Sequence, residues 1–176
     1  MIDTFYAAAS GLCFTLLGFW WVVVQFRHAE LTGDPGRRQL SFLVSLYFVL
    51  PGLASLAALI STESLLWRLS FGIVGLVGVG AALIAIRGIR EPTGVIALLG
   101  RAGWIAVVTY GLLGLIALVP STAASVTGLT ALQVEGYVLV LLLLIGVLFA
   151  WLLFTEPVSA TPVTGAAAEH DATRAP

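Results

Sequence analysis

Five apolar runs of about twenty residues, each closed by a polar or helix-breaking connector, limit what this chain can fold into more than any other feature of it. A helix rises ~1.5 Å per residue, so each run matches the ~30 Å hydrocarbon core of a bilayer. The runs cover 5–26, 40–60, 65–86, 95–119 and 132–154. Of the 176 residues, 60% are hydrophobic and 10% are charged, where soluble domains carry about 25% charged residues. A water-soluble fold of this size has no way to hide so much apolar surface, because its exterior needs charge. Backbone groups in hydrocarbon must be satisfied internally, which leaves helix, and the alternation of a β-barrel is missing. The expected fold is all-α, a polytopic membrane bundle of five transmembrane helices over 1–155. The tail, 156–176, is rich in Ala, Pro and Thr and is expected to be disordered.

The connectors are expected to be turns or loops. "RHAELTGDPGRR" contains the breakers Gly33, Pro35 and Gly36, "STES" is a polar hairpin, "RGIREPTG" stops one helix and starts the next, and "PSTAASVTG" opens with Pro120. Arginine placement sets the orientation. Arg27, Arg37 and Arg38 flank the first connector, Arg87, Arg90 and Arg101 the third, and Arg174 is in the tail, all on one side of a five-span chain. Arg68 alone falls on the other. The positive-inside rule then places the N-terminus outside and the tail in the cytoplasm. "MIDTFYAAASG" lacks a basic leader region, so the first span is expected to be retained. Lys and Asn, whose codons are AT-rich, are absent, which points to a GC-rich bacterial genome and hence to the cytoplasmic membrane. Tyr6 and Tyr137 are expected at the outer interface, and Trp20 and Trp21, being deeper, between helices.

Catalytic chemistry finds few residues to use. Cys13 is the sole cysteine, which removes intrachain disulfides, CxxC pairs and thiolate zinc sites. His28 and His170 are the only histidines, and neither lies within a span to serve as a base or a paired haem ligand. "GDPGRR" lacks the Gly-Lys-Ser/Thr ending of a phosphate loop. No catalytic residue, metal site, cofactor or nucleic-acid partner is expected.

Polar groups inside the spans are the remaining candidates. Glu135 stands in "ALQVEGYVLVLLLLIGVLFAWLLF", near the outer edge of the hydrocarbon, and Arg68 shares its predicted depth. They form a candidate intramembrane ion pair between the third and fifth spans, the alternative being that each reaches separately to water. Arg101, inside the fourth span, either marks a later start of that helix, with "VIALLG" along the interface, or faces an internal cavity as a candidate partner for Gln25 or a backbone carbonyl. Ser41, Ser45 and Ser55, with Gly52, form one face of the second span, read either as helix packing or as the wall of a polar path with Gln25 and Arg101. Gly75, Gly78, Ala82 and Ala85 recur at helical steps in the third span, and Gly11, Thr15 and Gly18 do so in the first, continued by Gln25. Such stripes let helix backbones approach closely in lipid. Pro51 is expected to kink the second span. These features favour a non-enzymatic membrane subunit that works through helix contacts, as a homo-oligomer or with another membrane protein. The alternative is a small transporter or channel with a polar path along the second, fourth and fifth spans.

Overall fold

The computed structural model describes residues 2–33, 35–60, 64–88 and 94–155. The hairpin at 61–63, Arg90 and the tail lie outside these residues, as does the side chain of Arg101. In chain order the helices are α1 (Ile2–Phe26), α2 (His28–Gly33), α3 (Pro35–Ile60), α4 (Ser64–Gly88), α5 (Gly94–Leu118), α6 (Pro120–Thr127) and α7 (Ala131–Thr155). The described residues contain no strand. Ile2–Phe26, Pro35–Ile60, Leu65–Arg87 and Ala131–Thr155 are each long and apolar enough to cross a bilayer, and Gly103–Leu118 joins them if counted with its bent partner Pro120–Thr127.

Helices α3, α4, α5 and α7 close a ring, each packing on the next and α7 returning to α3, while α1 lies outside the ring against α3 and more lightly against α7. Tyr47 of α3, Phe71 of α4, Tyr110 and Leu113 of α5, and Leu139 and Leu142 of α7 are fully buried. Tyr47 contacts Phe149 with ring centroids 5.4 Å apart and Tyr110 at 5.8 Å. The Tyr110 hydroxyl donates to the carbonyl of Leu46 at 3.1 Å, which satisfies a polar group that would be costly to bury alone. The outward faces remain apolar: Leu76, Ile84 and Val108 are each at least 67% exposed. In water such a surface would aggregate; in hydrocarbon it needs no partner.

Two connectors expected to be loops are helical. In the first, α2 forms over His28–Gly33 and Pro35 becomes the opening residue of α3. Proline costs little there, because the first N–H groups of a helix have no intrahelical acceptor and its ring pre-sets a helical φ. Pro120 behaves similarly: it ends α5 and begins α6, whose axis turns 104° from that of α5. Gly128 then closes α6 at φ 70, and its N–H donates to Ala124 at 2.9 Å. Pro51 lies inside α3, which is helical from Pro35 to Ile60. It has no N–H to offer the Tyr47 carbonyl one turn back.

Candidate functional site

On α7, positions 135, 139, 142, 146, 149 and 153 are all buried and recur at steps of four and three, so Glu135 opens the stripe that faces the core. It stands four residues into the helix, about 6 Å along its axis. Its side chain is 0% exposed, and neither carboxyl oxygen has a hydrogen-bond partner. Beside it, the Tyr6 hydroxyl of α1 donates to the Leu132 carbonyl at 2.7 Å, and Tyr6 is within electrostatic reach of the carboxyl. The Tyr6 ring meets Phe71 of α4 edge-on, with centroids 6.2 Å apart. Gly136 lets α1 come close, since a Cβ there would stand 3.0 Å from the Phe5 ring. Ser55 of α3 is also 0% exposed with its Oγ unpartnered. It lies five residues before the end of its helix, a depth comparable with that of Glu135. The carboxyl is therefore enclosed beside α1, whose Tyr6 ring is in turn backed by Phe71 of α4.

Arg68 does not meet it. Its Nε donates to the Ala117 carbonyl at 2.9 Å and its Nη2 to the Leu118 carbonyl at 2.9 Å. The candidate ion pair is thus absent, and so is separate solvation of Glu135. The cause is local. The sharp turn at Pro120 takes away the N–H groups that would have continued α5, which leaves its last carbonyls as acceptors at the negative end of the helix dipole. These carbonyls are one helix away from the Arg68 guanidinium, whereas the Glu135 carboxyl is on the far side of the ring.

The other candidate residues separate into two places. Gln25, Ser41 and Ser45 come together, with Arg38, in a groove between α1 and α3. Ser45 donates to the Ser41 carbonyl at 3.2 Å, and Trp20 Nε1 donates to the same oxygen at 3.2 Å. Ser41 is buried with its own Oγ unpartnered. Ser55, ten residues beyond Ser45 and about 15 Å along the axis, is buried elsewhere, near the other end of α3. Among the tryptophans, Trp20 is buried as expected, whereas Trp21 is 59% exposed on the neighbouring face. Tyr6 is likewise not an interface residue but a buried one. Its sequence setting resembles that of Tyr137, which is exposed, and only the packing of α1 on α7 separates them.

The small-residue stripes have different surroundings. A Cβ on Gly75 would stand 2.7 Å from the Gly114 backbone, and one on Gly78 would stand 2.3 Å from the Tyr110 ring. Ala82 and Ala85 continue this buried face. Gly52, on the serine face of α3, would meet Cys13 of α1 at 3.1 Å. Gly11 and Gly18 have nothing within 4 Å. Among the described residues, no three His, Cys, Asp or Glu side chains gather as a metal site. No family model, no curated protein and no solved structure matches this chain.

Proposed function

We propose that the chain is a non-enzymatic, multi-pass protein of the bacterial cytoplasmic membrane, N-terminus outside, that acts by helix association, with a second copy docking on the Gly11–Thr15–Gly18 face of α1. The observation that carries this reading is the open space over that face. Every other small-residue stripe has a helix against it, whereas this one is exposed between the larger Leu12, Phe19 and Val22. Thr15 spends its hydroxyl on the Gly11 carbonyl at 2.8 Å, so the face presents no unsatisfied donor to lipid. Without a hydrophobic drive between helices, close backbone approach over small residues is the main source of attraction. A two-fold axis near Thr15 would place each stripe on its own image.

The test is disulfide crosslinking in native membranes of a chain carrying Cys13→Ser and Thr15→Cys. A covalent homodimer, lost when Gly18→Leu is added, supports the reading. Monomers alone, in crosslinking and in single-particle photobleaching, reject it. Crosslinks to a different protein replace the second copy by an accessory-subunit role.

A transport reading is favoured by one feature, the buried and unpartnered Glu135 carboxyl, a place that a proton or small cation would complete. Cation flux into proteoliposomes that is lost in Glu135→Gln would support it, and equal flux in both would remove it.

A further inference from the structure

Two open grooves flank the first turns of α3. One, between α3 and α4, has a volume of about 620 Å³, with walls that include Leu43, Leu46, Val77 and Ile84 and a floor at Gly80. The other, between α1 and α3, has a volume of about 310 Å³ and is walled by Trp21 and Val24 on the apolar side and by Gln25, Ser41 and Ser45 on the polar side. Arg38 and Phe42 line both. They stand four residues apart, so they lie one above the other on a single face of α3. Phe42, 63% exposed, is the ridge between the grooves, and Arg38 stands at its head.

Arg38 is exposed and makes no hydrogen bond or ion pair with any described residue. Among the described residues, no acidic residue lines either groove and none lies in the first turn of α3, whose N-terminal dipole adds to the positive potential. The larger groove extends from Arg38 to Leu46, about 12 Å along the helix, and beyond Arg38 and Gln39 at its head its walls are apolar.

We infer that this end of α3 binds one anionic diacyl phospholipid, with its phosphate on Arg38 and its two acyl chains on either side of Phe42. A guanidinium at the head of a long apolar cleft, with a shorter mixed cleft on the other side of Phe42, matches such a lipid in both charge and shape. Two chains leaving one headgroup match two grooves leaving one arginine. A single-chain amphiphile would leave one groove unused, and a zwitterionic headgroup would bring the arginine no net charge.

The experiment uses the full chain in nanodiscs of equal phosphatidylglycerol and phosphatidylcholine, followed by release into mild detergent and native mass spectrometry of the retained lipid. The expected result is a single phosphatidylglycerol adduct, enriched over phosphatidylcholine by about fivefold, the factor that one basic residue at a membrane surface supplies. Arg38→Gln should equalise the two lipids and Arg38→Lys should preserve the preference. Gly80→Leu should fill the larger groove, since nothing lies within 4 Å of that glycine, and lower retention severalfold. It also decides the matter if Arg38→Gln fails to fold by circular dichroism. Equal retention by the unaltered chain, or a preference that survives Arg38→Gln, would overturn the site. Unchanged retention in Gly80→Leu would overturn the seating of the chains.

Discussion

Helices α4 and α1 carry the same kind of small-residue stripe and use it in opposite ways. On α4, Gly75 and Gly78 lie so close to α5 that a single added carbon would strike the Gly114 backbone or the Tyr110 ring. On α1, Gly11 and Gly18 face open space. The face that α1 turns inward carries Tyr6, Cys13 and Trp20; Cys13 and Trp20 meet the serine and glycine face of α3, while Tyr6 meets α7 and Phe71 of α4. Large residues on one helix are accommodated by small ones on its neighbour, so α1 needs no small stripe of its own to hold its place. A stripe therefore marks a surface suited to close approach without naming what approaches.

The largest effect should come from breaking the used stripe. Gly78→Leu drives a side chain into the buried Tyr110 ring, and overpacking of this kind costs about 1–3 kcal/mol or more. Denaturation in sodium dodecyl sulfate, followed by circular dichroism, should show the loss. Arg68→Gln attacks the same α4–α5 contact from its end, by removing donors to Ala117 and Leu118. It should cost about 1 kcal/mol, at the low side for a charged hydrogen bond because the arginine is partly exposed. Combined with Glu135→Gln, the two changes should add to within about 0.5 kcal/mol. A larger coupling in that double-mutant cycle would show that the two side chains meet after all.

Effects on α1 should be smaller. Tyr6→Phe removes the bond to the Leu132 carbonyl, worth about 1 kcal/mol. Hydrogen exchange should then rise in α1 and not in α4. Gly18→Leu should change stability by less than about 0.5 kcal/mol, since the new side chain meets nothing in its own chain. Its consequence should appear only in association. If Gly18→Leu instead unfolds the protein as Gly78→Leu does, the contrast between the two stripes fails.

The five long helices lie almost where hydropathy places them. The first expected span, 5–26, becomes Ile2–Phe26, and the last, 132–154, becomes Ala131–Thr155. The reading is reliable there because a run of twenty apolar residues has a single inexpensive conformation in hydrocarbon. It fails at the connectors for a definite reason. Pro35 and Pro120 read as stops, and a proline that stops one helix is equally suited to open the next. The α6 segment, lying across the end of α5, has no hydropathy signature of its own.

The candidate pair Arg68 and Glu135 shows a second limit. Shared depth made them plausible partners, but depth is one coordinate of three, and no periodicity in the sequence says which helices are neighbours in a ring. The carbonyls that hold Arg68 exist as acceptors only because the chain turns 104° at Pro120. Tyr6 and Tyr137 make the same point: both are tyrosines near a helix start, one buried and one exposed.

Local energetics, the cost of an unsatisfied peptide group in hydrocarbon and the length of an apolar run, were enough for the residues alone to determine the five long helices and their approximate extent. The order of helices around the ring, the stripe that is covered and the carboxyl left without a partner were decided only by tertiary packing. Apolar side chains are nearly equivalent to lipid and to one another, so hydrophobicity carries no preference among neighbours, and shape and a few polar groups choose between them.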